Sequence, residues 1–133
     1  MTAVKSAPTA CALVSIVDDD PFVLTAASSL VRSFGWHAKA FASAQDFLAA
    51  DVAGSTDCLI CDIGLDDLDG IALLARMQGE GLSVPTVFIT ALASHGVRER
   101  AMRQGALCVI EKPIDAGELE SWVQRALAEA RAQ

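Results

Sequence analysis

The sequence predicts one α/β domain, a doubly wound (βα)5 fold in which a five-stranded parallel sheet carries five helices on its two faces. Three observations predict it. Five short apolar runs alternate with five stretches of helical period along the chain. Four of the runs are rich in Val, Ile, Leu or Phe and almost continuously apolar, as strands covered on both faces are. Strict alternation of strand and helix implies right-handed crossovers and hence parallel pairing. A length of 133 residues suits a single core, and no linker or internal repeat interrupts the pattern.

The elements follow in order. The opening MTAVKSAPTACALVSIVDDD has a short, weakly alternating apolar part that ends in three aspartates. It reads as a flexible segment over 1–10 and then a domain over 11–131, rather than as an export signal. The first strand is 12–17 (ALVSIV). Asp20 is a natural N-cap and Pro21 a natural first-turn residue for a helix over 21–34, which Gly35 ends. The second strand, 37–41 (HAKAF), interleaves His37 and Lys39 with apolar residues, as an edge strand does. Ser43 caps a short helix over 44–50. The third strand is 58–62 (CLICD). Asp69 caps a helix over 70–78 that stops near Gly79 and Gly81. The fourth strand is 86–90 (TVFIT), followed by a helix over 95–104 that ends at Gly105. The fifth strand is 107–110 (LCVI). The last helix, 116–131, places Leu119, Trp122, Val123, Ala126 and Leu127 on one core-facing stripe.

Composition removes several function classes. Ten basic and seventeen acidic residues give a net charge of −7 with no basic stripe, which argues against a nucleic-acid surface. No apolar stretch approaches the ~20 residues of a membrane helix. A cytoplasmic protein is therefore expected, with Cys11, Cys58, Cys61 and Cys108 reduced and buried. Cys58 and Cys61 form a C-x-x-C, but they lie inside a strand. Residues three apart on a strand point to opposite faces, so the pair reads as packing and not as a redox couple. No second ligand pair accompanies it for zinc.

In open parallel sheets the site lies at the carboxyl ends of the strands. Strand 1 ends in Asp18, Asp19 and Asp20, and strand 3 in Asp62. Strand 4 ends in Thr90 and Ala91, and strand 5 in Glu111, Lys112 and Pro113. Crowded carboxylates ionise together only at an energetic penalty, which a hard cation such as Mg2+ removes. Carboxylates with Mg2+, an ammonium and a hydroxyl suit the three oxygens of a phosphoryl group. Asp62, alone at the end of a central strand, is best placed as the nucleophile.

Other readings of these residues fit less well. A calcium loop with Gly70 at its sixth position would put Leu65 first and Arg76 twelfth, where acids are needed. Asp66, Asp67 and Asp69 read as loop and helix cap, and Asp20 as a cap rather than a ligand. A D-x-D phosphatase would want an acid at Gly64. Dinucleotide binding would want glycines in VDDDPF. His37 and His95 have no partner pattern and read as surface residues, and Trp36 and Trp122 as core anchors.

Together, VDDD after strand 1, the lone acid of CDIGL, Gly70 eight residues on, PTVFITA and GALCVIEKP resemble the receiver domain of two-component response regulators. The resemblance covers about 11–131 and implies a CheY-like, flavodoxin-like fold. It implies that Asp62 accepts phosphate from a histidine kinase or phosphotransfer protein. It also implies a Mg2+ site, open to Mn2+ as a substitute, built from Asp18, Asp19, Asp62 and the Gly64 carbonyl. Thr90 and Ala91 would be the switch positions, Lys112 the phosphate-binding lysine, and Lys112–Pro113 a cis peptide. Such a domain is a switch with self-catalysed phosphorylation and dephosphorylation, not a turnover enzyme.

The pattern departs from the family at Asp66, where proline is frequent, and at Val109, where an aromatic switch residue is usual. The variable positions beside the phosphoryl site are Gly64 and Leu92. These departures leave room for a phosphorylation-independent interaction module. The expected partner is a downstream target protein or an output domain absent from this chain. PTVFITALAS and EKPIDAGEL look most like receivers joined to a DNA-binding helix-turn-helix. A homodimer through the last helices is compatible with the pattern.

Overall fold

The five predicted strands pair in one parallel sheet of order β2-β1-β3-β4-β5. The strands are β1 (Leu13–Val17), β2 (His37–Phe41), β3 (Cys58–Asp62), β4 (Thr86–Thr90) and β5 (Cys108–Glu111). The helices are α1 (Pro21–Ser33), α2 (Ala44–Ala49), α3 (Gly70–Gly79), α4 (His95–Arg103) and α5 (Ala116–Ala132). They belong to a computed structural model that describes residues 12–132, and side chains up to 129. The predicted flexible segment 1–10 and Cys11 lie outside the described residues. A 3-10 turn, Ala53–Ser55, precedes β3 and was not legible in the sequence.

Strand alternation sorts the core into two layers. Val14, Ile16, Cys58, Ile60 and Ile89 face α1 and α5, where Val31, Leu119 and Val123 meet them. Leu59, Cys61, Phe88 and Val109 face the other way, against Phe47 of α2, Leu73 and Met77 of α3 and Ala101 of α4. Each large, fully buried side chain stabilises the fold by about 1.5–3 kcal/mol. Cys58 and Cys61 fall in different layers, as their spacing predicts. Burial raises the pKa of both thiols, and that of Cys108 to about 12, so these three are inert packing groups at neutral pH. β2 is an edge strand whose His37 and Lys39 are exposed. Trp36 is buried. Trp122 is only partly so, with the Arg125 guanidinium 4.6 Å from its ring centre.

Local capping starts each helix close to a strand end. The side chains of Asp20, Ser43, Asp69, Ser94 and Asp115 accept from backbone N–H groups two or three residues ahead. Gly35, at φ +97°, ends α1 in the left-handed conformation and turns the chain into β2. Because every crossover returns to the amino end of a strand, all five β-to-α turns open on one rim. No described helix is long and apolar enough to cross a membrane.

Candidate functional site

Three strand ends converge on that rim. Asp18 follows β1 and its side chain is fully buried. Asp62 is the last residue of β3 and is also buried. Asp19 is the most accessible of the three acids. One carboxylate oxygen from each of Asp18, Asp19 and Asp62 lies within 4.8 Å of the others. Lys112, after β5, brings its Nζ to 3.0 Å from Asp18 Oδ2 and 3.3 Å from Asp62 Oδ2.

The backbone aims these carboxylates. The Asp20 N–H donates to Asp18 Oδ1 at 2.9 Å, and the Gly64 N–H donates to Asp62 Oδ1 at 3.0 Å. The Asp66 N–H donates to Asp19 Oδ2 at 3.2 Å, which ties the loop after β3 to the end of β1. The second oxygens of Asp18 and Asp62 are thereby left facing Lys112. Asp18 Oδ2 is buried and has no aligned hydrogen-bond donor, so Lys112 acts on it chiefly as a nearby charge.

Electrostatics follow from burial and crowding. Desolvation raises the pKa of Asp18, opposed by the Asp20 N–H and by Lys112. Desolvation alone would lower Lys112, but its close approach to Asp18 and the charges of Asp62 and Asp18 outweigh this, so its pKa is raised and it stays cationic. The charge of Asp19 raises the pKa of Asp66. The site thus holds more negative charge than one ammonium balances. Hard oxygen donors around an unsatisfied buried carboxylate oxygen are a donor set that fits a divalent, oxygen-seeking cation.

The other predicted residues surround this centre. Thr90 ends β4 and is buried, and its hydroxyl accepts weakly from the Leu92 N–H at 3.4 Å. Ala91 and Leu92 are exposed beside it, and Gly64 is exposed after Asp62. Lys112–Pro113 is cis. Val109 is buried beneath α4, with no ring or hydroxyl to reach outward.

Two residues around the site, Asp67 in its capping role and Arg98, escaped the sequence reading, and Gly70 was read without its reason. Asp67 is more than loop: its two carboxylate oxygens accept from Ala44 N at 3.2 Å and Gln45 N at 2.8 Å, a second cap on α2 that lowers its pKa. Gly70 starts α3 directly against β3. A Cβ there would overlap the Asp62 carbonyl and stand 3.0 Å from Ile63 Cα. Its position eight residues after Asp62 was visible, but the steric reason was not. Arg98 of α4 donates from Nη1 to the Val109 carbonyl at 2.8 Å, and no sequence signal marks it among the arginines of that helix.

A five-stranded parallel sheet in this order, with an acidic rim and a lysine at its carboxyl edge, defines a CheY-like protein. The chain belongs to the response regulator receiver domain family, whose model matches residues 14–124. It is 33% identical over 115 residues to the response regulator protein TmoT of Ectopseudomonas mendocina, covering 86% of this chain and 52% of that protein. It is 31% identical over 116 residues to the transcriptional regulatory protein ZraR of Salmonella typhimurium, covering 87% of this chain and 26% of that protein. The chain therefore spans from about a quarter to about half of these curated relatives. Among solved structures, a response regulator receiver protein from Pseudoalteromonas atlantica matches with a TM-score of 0.81 and 28% identity, covering 89% of this chain and 98% of that one.

Proposed function

We propose that this receiver accepts a phosphoryl group on Asp62 from the phosphohistidine of a kinase or phosphotransfer protein. The observation that carries the reading is Lys112 Nζ seated between the Asp62 and Asp18 carboxylates at three converging strand ends. An Asp62 carboxylate oxygen attacks phosphorus, the P–N bond of the donor breaks, and its electron pair stays on the imidazole nitrogen. An acyl phosphate results. Water later attacks this phosphorus, returning the Asp62 carboxylate and inorganic phosphate. The domain is then a switch that resets itself.

Each residue has a task in this scheme. The Gly64 N–H fixes one Asp62 oxygen and leaves the other for attack. Lys112 holds negative charge on the incoming oxygens. Asp18, Asp19, Asp62 and the Gly64 carbonyl would hold Mg2+, which when bound neutralises the crowded acids and the phosphoryl oxygens. Thr90 and Ala91 offer a hydroxyl and a backbone N–H to the added group. The new charge shifts the loop after β4, and the surface of α4, β5 and α5 presented to a target protein or output domain shifts with it.

A second reading, an interaction module that works without phosphate, is favoured by Val109 and by the exposed Leu92 beside Thr90. One experiment separates the two. The protein is incubated with Mg2+ and a small acyl-phosphate donor, and its intact mass is measured. A gain of one phosphoryl group, absent in Asp62→Asn and without Mg2+, is expected. No adduct at any Mg2+ concentration leaves the interaction module.

A further inference from the structure

Helix α4 is held to the body by few groups. Ala101 is its one buried residue among the nine. Its carboxyl-terminal end is fastened to α3: Gln78 Nε2 donates to the Gln104 carbonyl at 2.8 Å, and the Gln104 amide donates back to the Gln78 side-chain oxygen. Its amino-terminal half, next to the loop from Thr90, is fastened differently. There Arg98 Nη1 donates to the Val109 carbonyl at 2.8 Å. Among the described residues this is the only hydrogen bond from an α4 side chain to the sheet. Arg103 pairs with Glu99 inside the helix, and Arg100 reaches Asp69 only at 3.8 Å with both side chains half-exposed, which is weak.

The Arg98 bond joins two parts of the site's framework. Val109 pairs with Phe88 of β4, two residues before Thr90, and precedes Lys112 by three. β5 is an edge strand, so a side chain from α4 can reach its main chain. A guanidinium on a carbonyl is a charge-assisted bond, stronger than the 3.4 Å contact between Thr90 Oγ1 and Leu92 N that holds the start of the connecting loop.

We propose that Arg98 is the latch that keeps the amino-terminal half of α4 at rest on β5. The event that opens it rests on the Asp62 reading. When a phosphoryl group arrives, the Thr90 hydroxyl turns to it and leaves Leu92. The loop then draws the start of α4 away, and the Arg98–Val109 bond breaks. The freed guanidinium and the bared Val109 carbonyl become part of the altered surface.

Backbone hydrogen exchange on the full chain tests this. Arg98→Met keeps the stem and removes the donors, and Arg103→Met is a control on the same helix. Without phosphoryl donor, the Val97–Arg103 amides of Arg98→Met exchange about tenfold faster than wild type, the effect of one charge-assisted bond, while those of α1 and β3 keep their rates. Arg103→Met stays near wild type. With Mg2+ and acyl phosphate, wild-type α4 speeds up towards the Arg98→Met level, and Arg98→Met gains little more. Unchanged α4 exchange in Arg98→Met, an equal effect of Arg103→Met, or a full further gain on phosphorylating Arg98→Met would each overturn the latch. If the wild type takes up no phosphoryl group while Arg98→Met still loosens α4, the latch stands and the Asp62 reading falls.

Discussion

Helices α3 and α4 lie on the same face of the sheet, yet they are held by different means. α3 buries Gly70, Ile71, Leu73, Leu74 and Met77, half of its ten residues, while α4 buries Ala101 alone among nine. α3 begins against the backbone of Asp62, and its N-cap Asp69 closes the loop that follows that residue. α4 begins beyond an exposed loop and depends on polar ties at its two ends. The difference divides the labour: packing fixes the helix beside Asp62, and hydrogen bonds hold the helix that the proposed switch would move. Apolar burial is lost only on unfolding, whereas a single polar tie opens and closes within the native state.

The largest expected effect lies in α3. Leu73→Ala should lower unfolding free energy by about 2–5 kcal/mol in urea titrations, because it empties a fully buried position. A loss below 1 kcal/mol would break the contrast between the two helices. Gly70→Ala should follow, at about 1–3 kcal/mol, since its methyl meets main chain rather than a flexible side chain. It should also slow phosphoryl uptake, read by intact mass against time, because β3 has to shift at Asp62.

Asp67→Ala should lower stability by about 1 kcal/mol at neutral pH, as loss of a cap on α2 does. Its folded pKa is lowered, chiefly by the Gln45 N–H. The contribution is therefore complete above the unfolded carboxyl pKa of about 3.9 and fades as pH falls through the folded value. Melts of wild type and Asp67→Ala should converge in acid. The smallest effect belongs to the surface of α4, where Met102→Ala should change stability by less than about 0.5 kcal/mol.

How much of this was legible follows from how far each signal travels along the chain. Strands buried on both faces read as continuous apolar runs, and helices announce themselves with caps two or three residues from the N–H they serve. Fold class, element order and the carboxyl-end rim were therefore readable from local pattern. That rim brings Asp18, Asp19, Asp62 and Lys112 together as expected. What stayed hidden depends on distant pairs. Asp67 caps a helix that starts 23 residues earlier, Asp57 accepts from Leu13 across 44, and Arg98 meets a carbonyl 11 residues on. Each partner is a backbone group, which carries no side-chain signature. Asp66 was readable as a departure from the family, but the backbone bond it gives to Asp19 was not.

The paired amides of Gln78 and Gln104 have a mechanical consequence. They sit at the far end of a nine-residue helix, so in the proposed switch α4 would act as a lever about 14 Å long with its fulcrum away from the rim. A swing of roughly 10° about that fulcrum would carry the His95 end through about 2 Å. That is a hydrogen bond's reach, gained while the buried Ala101, three residues from Gln104, shifts by only about 0.8 Å.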